Sequence, residues 1–267
     1  MAVISLMTDF GAQDEYVGVM KGVILAAAPE VRIVDLCHRI APQDVAQGAF
    51  MIAAAFRYFP AQSLHVLVVD PGVGGKRRIL YAEAEGHRFL CPDNGLLTMV
   101  AHNAGLTRVR RVSNRALFAS HMSRTFHGRD VFAPVAAFLA RGGDPGELGA
   151  ETAPEGIERL ADWVPQIKAD GRITGRIVAT DRFGNLITNI GAEFLRNLSR
   201  DAPQVALQVD IGQQLTTHLH DAYEEALPGD VLAIIGSRAT LEIAINQGRA
   251  CDRFEVGPGD RVAVWRG

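Results

Sequence analysis

The segment Leu67–Arg78 reads L-V-V-D-P-G-V-G-G-K-R-R. An apolar run ends in a carboxylate, Asp70. Pro71, Gly72, Gly74 and Gly75 build a turn, and Lys76, Arg77 and Arg78 follow. β-Branched residues bounded by Pro and Gly read as a buried strand feeding a tight loop. Glycine lets that loop take positive φ and approach a ligand closely. A carboxylate and a guanidinium are thereby delivered to one sheet edge, which invites a catalytic reading. Taken alone, D-P-G is more often a turn whose aspartate caps backbone N–H groups. It is not a P-loop: Lys76 is followed by Arg, and Asp70 stands where the first glycine of that motif belongs.

Other residues carry weaker signals. His127 lies in T-F-H-G-R-D, beside Gly128, yet a lone histidine is usually structural. D-R-F-G-N-L-I-T-N, from Asp181 to Asn189, has the pattern of an Asx hairpin turn, although its amides can also pair with a nucleobase edge. Gly236-Ser237-Arg238 reads as a turn by default and as a carboxylate clamp by extension. His218 and His220 share one strand face, but two ligands without a third make no metal site. G-x-S-x-G and a strand-linked G-x-G-x-x-G are both absent.

The elements that position these groups alternate in type. Val3–Met7 reads as a strand ending at Thr8-Asp9-Phe10-Gly11, and a helix runs from about Asp14 to Ala28, its acidic start suiting the helix dipole. Val31–Leu36 is a second strand, Asp44–Phe59 a helix apolar enough to be buried, and Leu64–Val69 a third strand. This β-α-β-α-β order predicts a largely parallel sheet covered by helices. Asp9 and Asp70 then leave the same carboxyl edge, where open α/β sheets bind ligands. Ile79–Ala84 and His87–Cys91 read as a strand pair, Leu96–Ala104 as a short helix and Arg108–Val112 as a strand. V-F-A-P-V-A-A-F-L-A-R, from Val131 to Arg141, reads as a later helix if Pro134 sits in its first turn.

Between Gly142 and Gly171, nine of thirty residues are Gly or Pro, which marks a domain boundary. We place the domains at 1–160 and 161–267. Beyond the boundary come short strands: Ile173–Ala179, Leu186–Ile190, Val205–Val209, Val231–Ile235, Leu241–Ile245 and Val262–Trp265. Two follow the same phrase, Pro228-Gly229-Asp230 and Pro258-Gly259-Asp260, a turn signature. The expected fold is an α/β domain with a mostly parallel sheet plus a smaller all-β domain, a barrel or sandwich.

Composition narrows the class. The 267 residues are 48% hydrophobic and 21% charged, as for a globular chain with a full core. A net charge of −3 offers no basic footprint for nucleic acid. No apolar stretch is long enough to span a membrane, and the N-terminus lacks a cationic signal-peptide start. Three scattered cysteines, Cys37, Cys91 and Cys251, read as free thiols in a reducing cytoplasm.

Taken together, T-D-F-G with D-E-Y-V-G-V-M-K-G, V-D-L-C-H-R-I-A-P-Q-D-V, V-D-P-G-V-G, P-D-N-G-L-L, F-H-G-R-D-V-F-A-P, D-R-F-G-N-L-I-T-N-I and S-R-A-T-L-E-I-A-I-N resemble the S-adenosyl-L-methionine (SAM) hydroxide adenosyltransferase family, related to fluorinase and chlorinase. The resemblance covers nearly the whole chain in order. It implies an N-terminal α/β domain joined to a C-terminal β-barrel, and a trimer with each site between one subunit's N-domain and a neighbour's C-domain. The implied reaction converts SAM and water to adenosine and L-methionine without cofactor or metal. The family's Asp-Arg-His set falls on Asp70, Arg77 and His127. By the same resemblance Asp9 is the ribose-binding acid and Asn185 the adenine-reading amide. Ser237, Arg238 and Glu242 lie around the methionine end, and Asp14 and Asp181 are partners for its amino group.

Two departures from fluorinase stand out: Gly128 replaces a serine and Gln43 a tryptophan. Chlorinase resembles this chain at Gly128, but the halogenases do not keep the Asp-Arg-His set complete. The alternatives to hydrolysis are a chlorinase-like halogenase and a binding module that senses SAM or adenosine without turnover. Asp70 and His127 both remain open as the proton acceptor for water. Of the three cations, Arg77 is assigned to the site, and Lys76 and Arg78 to solvent.

Overall fold

The computed structural model describes residues 2–199 and 206–267. It divides into two compact units, Met1–Leu160 and Ala161–Gly267, each described here by itself.

The first unit contains strands β1 (Val3–Thr8), β2 (Arg32–Cys37), β3 (Leu64–Val68), β4 (Ile79–Ala84), β5 (His87–Pro92) and β6 (Arg108–Arg111). Its helices are α1 (Tyr16–Ala27), α2 (Val45–Ala55), α3 (Thr98–Asn103) and α4 (Ala133–Ala140). The sheet order is β2-β1-β3-β5-β4-β6. Strands β2, β1, β3 and β5 are mutually parallel, and β4 runs antiparallel to both β5 and β6. The sheet is therefore mixed but mostly parallel.

Its strands are apolar on both faces because helices cover both. Leu64, Val66 and Val68 pack with Met20 and Ile24 of α1 and with Val135 and Leu139 of α4. The intervening Leu67, followed by Val69, packs with Ile52 of α2, Phe56 and Val100 of α3 on the other side. This is the period-2 alternation of a strand buried twice over. Each such side chain contributes about 1.5–3 kcal/mol by leaving water.

The helices are shorter than periodicity alone predicts. Helix α1 begins at Tyr16, so Asp14 and Glu15 precede it, and no side chain caps it. Helix α2 ends at Ala55 and passes into a 3-10 turn, Phe56–Tyr58. Helix α4 is entered through a π-type turn, Gly128–Phe132, with Pro134 in its first turn. Proline has no N–H to give the carbonyl four residues back. That carbonyl, on Asp130, instead accepts the Ala119 N–H at 2.9 Å. The Asp130 carboxylate accepts from Ser123 N at 2.7 Å, so a single residue fixes the loop that leads to His127.

The second unit is a closed barrel. Its strands are β7 (Gln166–Ile167), β8 (Ile173–Thr180), β9 (Leu186–Gly191), β10 (Ala206–Asp210), β11 (Gln214–His220), β12 (Val231–Ile235), β13 (Thr240–Ile245) and β14 (Arg261–Arg266), with helices α5 (Ala192–Ser199) and α6 (Ala250–Phe254). The order β14-β10-β11-β12-β13-β9-β8 closes through β14–β8, and β7 adds to β8. Seven strands thus form the ring, which removes every edge within it. Val205, at the start of one expected strand, lies outside the described residues.

Alternate side chains fill the interior: Leu241, Ile243 and Ile245 of β13, Leu207 and Val209 of β10, and Val262 and Val264 of β14. The two Pro-Gly-Asp phrases enter β12 and β14. In each, the aspartate N–H bonds back three residues, Asp230 to Leu227 O and Asp260 to Gly257 O. Gly229 and Gly259 take φ of +89° and +97°, as the third residue of a type II turn requires.

Among the described residues, no helix is long and apolar enough to cross a membrane.

Candidate active site

Strands β1 and β3 are parallel neighbours with Thr8 paired to Val68. Asp9 and Asp70 therefore emerge together from one carboxyl edge. They line a cavity of about 310 Å³ with Phe10, Gln43, Phe126, His127 and Gly128.

The Asp70 loop reaches His127 through glycine. Gly74 takes φ of +73°, and a Cβ there would collide with the Arg124 carbonyl, so the loop lies directly on the segment before His127. Arg77 folds back across it. Its Nε lies 2.8 and 3.0 Å from the two Asp70 oxygens, its Nη2 also bonds Asp70 Oδ2, and the same Nη2 lies 2.9 Å from His127 Nδ1. The Arg77 and Asp70 side chains are only 11% and 5% exposed, so solvent screens their pairing little.

A guanidinium only donates, so His127 Nδ1 must offer its lone pair, and the neutral ring carries its proton on Nε2. Burial, reinforced by the Arg77 charge and only partly opposed by Asp70 and Asp130, holds the His127 pKa below the ordinary histidine value. The cluster is a carboxylate and a neutral imidazole joined by one cation.

Asp9 Oδ2 accepts the Gln43 N–H at 2.8 Å, with Gln43 itself at φ +66°. Phe10, Tyr16 and Phe126 form a triangle of rings 5.1–6.0 Å apart, of which Phe10 and Phe126 line the cavity with Gly128. A Cβ on Gly128 would meet Met20 Sδ at 3.0 Å, Phe126 at 3.1 Å and Phe10 at 3.3 Å. Asp14 lies on the exposed turn before α1 and is not among the residues lining this cavity. Arg78, assigned to solvent from sequence, is instead tied to the buried Asp93, with Nε 2.6 Å from Oδ2. Asp93 also accepts the Glu158 N–H at 2.8 Å, so Arg78 serves the fold.

The remaining site candidates meet in the second unit. Asp181, Asn185, Ser237, Arg238 and Glu242 line a cavity of about 870 Å³ together with Tyr223. The β8–β9 turn is an Asx turn: Asp181 Oδ1 accepts from Phe183 N at 2.8 Å and from Asn185 N at 3.0 Å. Asp181 Oδ2 also holds the Asn185 amide at 3.0 Å.

Glu242 points away from the barrel interior, since Leu241 and Ile243 point into it. Its cross-strand partners are Ile234 on β12 and Ile187 on β9, both of which line the cavity. A carboxylate set between two isoleucines is desolvated. Burial raises its pKa above the usual range, and Asp181 adds to this, against the Tyr223 hydrogen bond and the Arg238 charge. Any side chain at Gly236 would strike the Glu242 carboxyl.

Tyr223 escapes sequence reasoning. Its hydroxyl donates to Glu242 Oε2 at 3.0 Å and lies 3.5 Å from the Asn185 amide, yet D-A-Y-E-E carries no motif. His218 and His220 do share β11, their rings 6.4 Å apart.

Residues 4–149 match the SAM hydroxide adenosyltransferase N-terminal domain and residues 175–263 its C-terminal domain. The chain belongs to that family. It is 37% identical over 265 residues to an (R)-S-adenosyl-L-methionine hydrolase from Salinispora tropica, covering 99% of this chain and 98% of that one. A fluorinase from Actinopolyspora mzabensis is 27% identical, over 99% of this chain and 97% of that one. The crystal structure of a conserved protein from Thermotoga maritima superimposes with a TM-score of 0.90 at 34% identity, covering 98% of this chain and all of that one.

Proposed function

We propose that this protein hydrolyses SAM to adenosine and L-methionine by in-line attack of water on the 5′ carbon of the ribose. The observation that carries the reading is the Arg77 bridge between Asp70 and His127. The attack forms a C5′–O bond as the C5′–S bond breaks, and the sulfonium leaves as neutral methionine. One proton of the attacking water must be removed. His127 already holds its proton on Nε2 and gives its other lone pair to Arg77, so it orients the water oxygen by donation. Asp70, with lone pairs beyond those Arg77 engages, accepts the proton and returns it to solvent. Arg77 stabilises the hydroxide character that develops. Because opposite charges cancel along this path, a water-poor pocket that holds the atoms in line favours it.

In this reading Asp9 binds the ribose hydroxyls and Asn185 reads the adenine. Ser237, Arg238 and Glu242 hold the methionine end, with Asp14 and Asp181 serving its amino group. The complete Asp70-Arg77-His127 set, rather than Gly128, supports water over halide as nucleophile, because chlorinase resembles this chain at Gly128. The chain would act as a homotrimer in which two subunits complete each site, and a reducing cytoplasm suits its three free thiols.

Incubation with SAM followed by chromatography tests the reaction. Adenosine and methionine should appear in equal amounts, and undiminished turnover by Asp70→Ala would sink the assignment. A 5′-chloro-5′-deoxyadenosine product in excess chloride would point to a halogenase instead. Light scattering gives the oligomeric state. Mixing inactive Asp70→Ala with inactive Glu242→Ala subunits should restore part of the activity if two subunits build one site.

A further inference from the structure

The ends of β1 and β2 carry a polar chain that the reaction scheme leaves unused. Thr8 Oγ1 and His38 Nδ1 are 2.9 Å apart, and His38 Nε2 lies 3.0 Å from Asp35 Oδ1. Lys21 Nζ donates to Asp35 Oδ2 at 2.6 Å. Asp35 favours the tautomer with the proton on Nε2, although that contact is not aligned as a hydrogen bond, and in this tautomer Nδ1 takes the Thr8 hydroxyl hydrogen. Thr8 Oγ1 in turn accepts the Phe10 N–H at 3.2 Å. The His38 carbonyl accepts the Gly11 N–H at 2.7 Å.

Asp9 sits between these anchors. His38 holds the residue before it through a side chain and the residue two after it through a main-chain bond. The third tie, from Gln43 N to Asp9 Oδ2, comes from the same β2–α2 connection. His38 is 10% exposed, while Asp35 and Lys21 are 45% and 32% exposed. The chain thus runs from the surface to buried Thr8, the neighbour of the cavity-lining Asp9.

We propose that His38 is the positioning residue for Asp9, fixing the Thr8–Gly11 loop so that the Asp9 carboxylate is set for ligand before ligand arrives. The inference rests on Asp9 being a ligand-binding acid, as argued above. Preset geometry spares the ordering cost that a mobile loop would charge against affinity.

The test compares wild type with His38→Ala, His38→Asn, His38→Gln, Thr8→Val, Asp9→Asn and the His38→Ala/Asp9→Asn double. His38→Ala and Thr8→Val should each raise the KM for SAM by about 3- to 10-fold, the scale of one positioning hydrogen bond, with kcat within about threefold. The double should be no weaker than Asp9→Asn alone, because both changes remove one contribution. His38→Asn places an acceptor near the Nδ1 position and should retain more affinity than His38→Gln, which reaches toward Asp35.

Unchanged KM in both His38→Ala and Thr8→Val, multiplying effects in the double, or Gln outperforming Asn would overturn the proposal. Calorimetry with adenosine repeats the comparison without turnover. A wild type that binds adenosine but never hydrolyses SAM refutes the hydrolase reading and leaves the His38 comparison intact. A wild type that binds neither refutes both.

Discussion

The Tyr223 hydroxyl donates to Glu242 Oε2 at 3.0 Å, linking a short turn to the one carboxylate on the cavity-facing side of β13. The bond opposes the rise in pKa that burial and Asp181 impose on Glu242. Burial also lifts the tyrosine, to about 12, so it remains a donor throughout the working range. If ionised Glu242 binds the methionine end, KM rises as pH falls through the Glu242 pKa. Tyr223→Phe should move that limb to higher pH and raise KM by about 3- to 10-fold at neutral pH. A KM–pH profile of both proteins measures the displacement.

The Arg77–His127 contact makes a separate prediction for the rate. The depressed His127 pKa keeps the imidazole neutral at pH 7, so kcat/KM should be flat there. It should fall only below the ordinary histidine range, as protonation of Nδ1 ejects the Arg77 donor. His127→Gln preserves a side-chain N–H and should keep more activity than His127→Ala. If Asp70 accepts the proton, as proposed, Asp70→Asn should lower kcat by about a hundredfold or more. Stopped assays from pH 4 to 9 separate the cases.

Gly128 offers a steric test. A serine there brings its Cβ to 3.0–3.3 Å from Met20, Phe126 and Phe10, tighter than packed side chains ordinarily sit. Gly128→Ser should cost about 1–3 kcal/mol of stability and reduce hydrolysis without creating halogenation. Thermal melts and product analysis in chloride report the two outcomes.

At the opposite end of the sheet, Ser5 Oγ and His65 Nδ1 are 2.7 Å apart, and His65 Nε2 and His87 Nδ1 are 3.2 Å apart. Phe56, Phe59 and Phe89 surround His65. Burial, with the neighbouring His87, pushes the His65 pKa down to about 3. The unfolded chain takes up this proton near pH 6.5 and the folded chain near 3. Stability is therefore complete above 6.5 and lost as pH falls between those values, by about 1.4 kcal/mol per pH unit at most from this group. Urea midpoints at pH 7, 5 and 4 should decline accordingly, and a Ser5→Ala/His65→Leu double should show a shallower decline.

How far these features can be read from the chain depends on how local their causes are. The β-α-β-α-β alternation is enough to bring Asp9 and Asp70 to one edge, because right-handed parallel connections leave few other arrangements. The Asx turn at Asp181 and the turns at Gly229 and Gly259 are equally local and equally legible. Tyr223 is not, because its partner Glu242 is set by the register of β13 against β9 and β12. Arg78 escapes for the same reason: its partner, Asp93, approaches only when the strand pair β4–β5 closes. The helix ends differ from expectation where one turn changes type, as at Phe56 and Gly128, a change that apolar periodicity does not encode.

The register of β13 also separates two burdens that many pockets combine. Leu241, Ile243 and Ile245 belong to the barrel interior, while Glu242, with Ile234 and Ile187 beside it, faces the cavity. Replacing Ile187 or Ile234 alters the cavity wall and leaves the interior packing of Leu241, Ile243 and Ile245 in place. On the proposed reading, β13 thus carries interior packing on one face and substrate recognition on the other, so specificity toward enlarged or trimmed SAM analogues is addressed from the second face alone.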